Sequence, residues 1–177
     1  TAPVNAQAGD PGPLLRINAY SSSSGMNITS GDLDLVRVGV VDDLVLRNTD
    51  VNDFEIEPEK ATPFEFEIEN DGNGPTTALI DVTGLRNGWD YWIDTEYEHN
   101  VSEIELSPSY EGNDVINFTL WVVAPGYEDA GEQFSMIVST YGKESSLETS
   151  QNDNFVEIEG NIAEIRNPVF VNEILAN

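Results

Sequence analysis

The sequence predicts an all-β protein, an antiparallel β-sandwich with additional strands at its N- and C-terminal ends. Apolar and acidic residues alternate with period two in four separate segments, and turn-forming residues recur at short intervals between them. No amphipathic helical window exceeds about two turns. Each alternating segment presents an apolar face to a core and carboxylates to water, as half-buried strands do.

In chain order, residues 13–20 read as a strand with Leu15, Ile17 and Ala19 on one face, followed by a Ser-rich linker at 21–25. Residues 33–41 and 44–47 read as a hairpin about Asp42 and Asp43. Phe54-Glu55-Ile56-Glu57 and Phe64-Glu65-Phe66-Glu67-Ile68-Glu69 alternate perfectly. The run Asn70-Asp71-Gly72-Asn73-Gly74-Pro75 is a strong turn, from which 76–82 return as a strand. Segments 89–95, 115–123 and 133–141 continue the series, with Pro125-Gly126 as punctuation. Glu103-Ile104-Glu105-Leu106 and Val156-Glu157-Ile158-Glu159 alternate again, and 167–175 form a last apolar, strand-like stretch. Glu is disfavoured in strands, so its repetition marks an acidic surface rather than local propensity.

The chain has 177 residues, which predicts one domain, and 33 acids against 7 bases give a net charge of −26. The charge divides the chain into three parts. Residues 1–30 hold only Asp10 and Arg16, and 161–177 hold only Glu164, Glu173 and Arg166. The body, 31–160, holds 30 of the 33 acids. Such a field repels phosphate backbones and anionic lipids, which argues against nucleic-acid partners and membrane insertion. Hydrophobic residues at 39% supply a packed core. An acidic, Lys-poor surface suits concentrated salt or divalent cations, so an extracellular, archaeal protein is expected. The start at Thr1-Ala2-Pro3 fits a mature chain whose export signal has been cleaved. Three sequons, at Asn27, Asn100 and Asn117, then become candidate glycosylation sites.

Searches for chemistry return little, and no enzyme is expected. The single His99 reads as an exposed loop residue, and without cysteine the usual zinc sites cannot be built. No nucleotide-binding motif or nucleophile elbow occurs, and with 33 acids carboxylate pairs arise everywhere by chance. No cofactor is expected beyond calcium, for which Asp50, Asn52 and Asp53 place oxygen ligands at loop spacing. The same residues are ordinary turn formers, so diffuse counterion association is the stronger expectation. Trp89, Tyr91 and Trp92 offer a glycan-stacking platform or a core aromatic. Core is the favoured reading, with Trp92 on the face opposite Trp89 and Tyr91.

Residues 64–75 (FEFEIENDGNGP), 84–92 (GLRNGWDYW), 104–108 (IELSP) and 115–141 (VINFTLWVVAPGYEDAGEQFSMIVSTY) resemble small Ig-like cell-surface modules. These are the CARDB type and the Ig-like module found beside α-galactosidases, and the likeness covers about residues 54–142. It implies a seven-stranded, Ig-like sandwich without catalysis, serving as a spacer or adhesive unit. A single copy with extensions on both sides is unlike a spacer, which normally occurs in tandem.

Two functions are therefore expected from different classes. One is a structural subunit of an extracellular filament or surface layer, its partners copies of itself. Leu15, Ile17 and Ala19 would complete a neighbour's sheet head to tail. This is an architectural analogy to filament subunits joined by donor-strand exchange. The other is a secreted binding module that takes surface glycans or adheres in a calcium-dependent way.

Overall fold

A computed structural model describes residues 6–13, 16–29, 31, 37–41, 43–50, 54–143 and 154–164. Among them are eleven strands and no helix: β1 Asn18–Tyr20, β2 Asn27–Thr29, β3 Leu44–Asn48, β4 Phe54–Ile56, β5 Thr62–Asn70, β6 Thr76–Thr83, β7 Asp90–Thr95, β8 Glu103–Leu106, β9 Val115–Val123, β10 Gln133–Gly142 and β11 Phe155–Ile162.

The predicted sandwich is present. A four-stranded sheet runs β3-β5-β9-β7 and a five-stranded sheet β4-β11-β10-β6-β8, nine strands where the resemblance implied seven. Every pair is antiparallel except β4 with β11, which is parallel. Gly160 permits that approach, since a Cβ there would lie 2.4 Å from the Phe54 carbonyl oxygen and 2.6 Å from the Phe134 ring.

The period-two segments build the core. Phe64, Phe66 and Ile68 of β5 and Phe118, Leu120 and Val122 of β9 face inward from one sheet. Met136 and Val138 of β10, Ile158 of β11 and Ile104 of β8 meet them from the other. Phe66 and Phe118 stack with centroids 5.2 Å apart. In the four period-two segments the apolar positions are therefore the inward ones.

Connectivity differs from the sequence reading. From β3 to β10 each successive strand lies in the opposite sheet, and only β10 and β11 form a hairpin within the sandwich. The 70–75 turn accordingly carries the chain across the core instead of folding β6 back on β5. Buried Asn70 organises the crossing: its Nδ2 donates to the carbonyls of Gly74 and Ser107, and its Oδ1 accepts from Gly72 N–H. Gly72 admits no side chain, because a Cβ would sit 2.3 Å from the Val41 carbonyl oxygen.

The expected hairpin about Asp42 and Asp43 does not form among the described residues. Residues 37–41 instead join the chain start and the Asn70 turn, through a bridge from Pro11 to Arg37 and the bond from Val41 N–H to Asn73 Oδ1 at 2.7 Å. The competing partner, Asn73, satisfies the backbone that a hairpin would have used.

The chain ends also differ from the simple picture of two added strands. Among the described residues, β1 pairs with β2 in the register Asn18–Thr29, Ala19–Ile28 and Tyr20–Asn27 and joins neither sheet of the sandwich. The 21–25 segment is the tip of this hairpin and not a linker, closed by Ser21 N–H to Met26 O and Gly25 N–H to Ser21 O. β11 runs across the 160/161 boundary seen in the charge profile. The expected strand at 167–175 lies outside the described residues.

Candidate functional site

The β1–β2 hairpin is the first candidate surface. Directly opposed residues share a face, so Ala19 and Ile28 form one side and Asn18, Tyr20, Asn27 and Thr29 the other, with Ile17 and Met26 next to the strand ends. Ile17, Tyr20, Met26 and Ile28 are 60–71% exposed. Ile17 and Ala19, singled out from the sequence, are thus brought together with Met26 and Ile28, which were not. Leu15 lies outside the described residues. A lone two-stranded ribbon is marginal in water and gains stability by laying an apolar face against something.

The outer face of the four-stranded sheet is the second. Its central strand presents Glu65, Glu67 and Glu69, and Arg47 of β3 bridges Glu67 at 3.0 Å and Glu69 at 2.6 Å. The Arg47 guanidinium is held above its ordinary pKa, first by its hydrogen bond to Glu69. Thr119 Oγ1 donates to the Glu65 carboxylate.

Beside this acidic row, Trp92 and Trp121 stack in register with centroids 6.0 Å apart and planes 12° from parallel. Trp121 Nε1–H is buried without a hydrogen-bond partner among the described residues. Trp92 Nε1–H donates to Asp94 Oδ2. Asp94 also accepts from Asn100 N–H and lies 3.1 Å from His99 Nδ1. Those contacts, the Asn100 bond foremost, hold its carboxyl below the ordinary value of 3.8.

Trp89 is the core aromatic. It packs against Phe134 and donates Nε1–H to Glu128, which Arg86 also bridges at 2.7 Å. Trp92 lies on the opposite face from the core, half-buried against Trp121, so the core reading holds for Trp89 and not for Trp92. Tyr91 is exposed and does not share the buried environment of Trp89, because β7 begins only at Asp90 and the alternation does not reach back to Trp89. Trp121 sits in the continuous apolar run Leu120-Trp121-Val122-Val123, which carries no parity signal. Its outward parity against Trp92 emerges only from the pairing.

The outer face of the five-stranded sheet is the third. Ile137 and Tyr141 of β10 and Phe155 of β11 are 37, 52 and 45% exposed. Phe155 stands opposite Ser139, and Tyr141 opposite half-buried Leu79 of β6. Asp81 of β6 stands on the other side of Ser139, and Glu157 of β11 beside Ile137, so carboxylates interrupt this apolar group.

The remaining sequence candidates are dispersed. Asn27 opens β2, Asn100 sits in the loop after β7 with φ 54°, and Asn117 lies within β9; all three are exposed. Asp50 Oδ2 accepts from Glu65 N–H, which occupies one oxygen of the expected calcium set. Asn52 and Asp53 lie outside the described residues. No group of three or more metal-ligating side chains occurs among the described residues. No described helix is long and apolar enough to cross a membrane.

No family model and no curated protein matches the sequence. Similar solved structures include the CARDB domain of a Pyrococcus furiosus protein in complex with two metal ions, 13% identical over 69% of this chain and 89% of that one, with a TM-score of 0.43. A FixG-related protein from Vibrio parahaemolyticus is 14% identical over 70% of this chain and 96% of that one, with a TM-score of 0.43. Domains 4 and 5 of the S-layer protein SbsC are 11% identical over 87% of this chain and 66% of that chain, with a TM-score of 0.39. The Ig-like resemblance read from the sequence agrees with the first of these. The fold assignment itself rests on the strand pairing described above.

Proposed function

We propose that this protein is a non-catalytic structural module of an extracellular surface that assembles with copies of itself through its N-terminal β-segment. The observation that carries this reading is the β1–β2 hairpin. Among the described residues it pairs with neither sheet, and its Met26 and Ile28 side chains are exposed, on a chain of charge −26. Like charges keep the acidic bodies apart and suppress sideways clumping, while the neutral hairpin can be buried without desolvating a carboxylate. Because β1 already has one partner, strand addition would extend the hairpin as a unit rather than donate a single strand.

The test is negative-stain microscopy with size-exclusion chromatography of the full chain and of a chain lacking residues 1–29, both in high salt. Filaments or a ladder of multimers from the full chain, with monomers from the shortened one, are the expected result. Equal assembly by both would overturn the reading.

The Trp92–Trp121 stack favours a second reading, a glycan-binding module. Flat aromatic surface flanked by the acceptors Asp94 and Glu65 suits a sugar ring and its hydroxyls. Soluble oligosaccharides would then quench or shift tryptophan emission in the native protein but not in Trp92→Ala.

A further inference from the structure

Of the three sequons on this chain, the structure sets one apart. Asn27 and Asn117 stand inside paired strands, β2 and β9, and the hydroxyl of the second sequon, on Thr119, donates to Glu65. Asn100-Val101-Ser102 lies instead in the loop from β7 to β8. Asn100 and Ser102 are exposed, and Asn100 is in the left-handed region at φ 54°. Between them, Val101 donates its N–H to the Ile93 carbonyl and packs against the core. The loop is thus pinned along β7 with its sequon side chains outward.

The same loop adjoins Trp92. Asp94 Oδ1 accepts from the Asn100 backbone N–H at 3.0 Å, and Asp94 Oδ2 accepts from Trp92 Nε1–H at 3.3 Å. One carboxylate therefore holds the asparagine and the indole as neighbours. Among the described residues β7 is the last strand of its sheet, so Trp92 has Trp121 on one side and no strand on the other.

Resting on the sugar-platform reading of Trp92, we propose that Asn100 is an N-glycosylation site whose own glycan covers the open side of that indole. In the transfer, Nδ2 of Asn100 attacks C1 of the first sugar of a lipid-linked oligosaccharide phosphate. The C1–O bond to the phosphate breaks, and the lipid phosphate leaves with the electron pair. Nδ2 gives up one proton to a base of the transferring enzyme.

The surroundings of Trp92 select this kind of occupant. Asp90 and Asp94 flank it on the outward row of β7, and Glu65 stands one row away beyond Thr119. An apolar protein surface laid here would desolvate those carboxylates, which opposes binding. A sugar lays its C–H face on the indole and donates its hydroxyls to the same carboxylates. A neutral glycan also adds nothing to a charge of −26.

The test is secretion of the full chain, as wild type and as Ser102→Ala, from a eukaryotic host whose own secreted proteins carry N-glycans. Ser102→Ala destroys the sequon and keeps Asn100, a residue type that tolerates its positive φ. Glycopeptide mass mapping should find sugar on Asn100 in the wild type and none there in the variant. Acrylamide should quench tryptophan emission less in the glycosylated chain, and the difference should vanish when both chains carry Trp92→Phe. The thermal midpoint should fall by about 2–4 °C in Ser102→Ala, the shift of one aromatic contact in a chain this long.

A bare Asn100 in the wild type would overturn the site. A glycosylated Asn100 with Trp92 quenched equally in both chains would overturn the seating of the glycan. Protection of Trp92 by the attached glycan, with no response of Ser102→Ala to soluble oligosaccharides, would support the tethered occupant and remove the glycan-binding module.

Discussion

The outward rows of β5 and β10 follow the same period-two rule and carry different side chains. On β5 every outward position from Glu65 to Glu69 is a carboxylate, two of them tied to Arg47. On β10 the outward row is Ser135, Ile137, Ser139 and Tyr141, with Phe155 beside it. Both strands bury comparable inner rows, Phe64, Phe66 and Ile68 against Phe134, Met136 and Val138. Inner faces answer to packing, which any apolar residue of suitable volume serves. Outer faces are free of that demand, so their difference reports how the protein meets its surroundings. On the first face the carboxylates run along the central strand itself; on the second they stand on the neighbouring strands, at Asp81, Glu157 and Glu159, beside an uncharged β10.

The largest effect should come from the shared inner layer. Phe66→Ala removes a stacked core ring and should cost about 3–5 kcal/mol in denaturant unfolding. A cost as low as that of an outer-face change would erase the distinction between the two layers. Asn70→Ala comes next, at about 1–3 kcal/mol, because it strands the carbonyls of Gly74 and Ser107 and the Gly72 N–H inside the crossing turn. It should also raise amide exchange in 37–41, the segment held by the adjoining Asn73.

Outside, the two faces should separate by observable. Glu67→Thr should shift stability by at most about 1 kcal/mol, an effect that shrinks further in high salt, since Arg47 keeps Glu69. It should leave association intact. Tyr141→Thr removes no charge and should change stability by at most about 1 kcal/mol with no dependence on salt, and a salt-dependent shift like that of Glu67→Thr would break the comparison.

The smallest effect belongs to Asp94. Its carboxyl titrates below 3.8 in the folded protein, so its contribution is full above that value and disappears as pH falls through the depressed folded pKa. Asp94→Asn should flatten the acid limb of the stability–pH curve and leave the neutral region unchanged in slope.

The inside of this fold was legible because alternation is a local signal. Phe64-Glu65-Phe66 states which side chain is buried without reference to any partner. Which sheet each strand joins was not legible. A turn such as Asn70–Pro75 reads identically whether the chain folds back or crosses the core, and only the buried amide of Asn70 distinguishes the two. The Trp pair was half legible. Trp92 sat in an alternating segment, whereas Trp121 was hidden in a continuous apolar run where parity cannot be read. The hairpin looks in sequence like a strand followed by a linker. Four serines carry no pattern, and Met26 and Ile28 are too few to signal a second strand.

Sedimentation velocity of the full chain over a concentration series, at low and high salt and beside Ile28→Glu, addresses the relation between repelling bodies and a neutral contact. The expected result is a sedimentation coefficient that climbs with concentration, climbs further with salt, and stays at the monomer value in Ile28→Glu. A single 19.5 kDa species at every concentration and salt would contradict it.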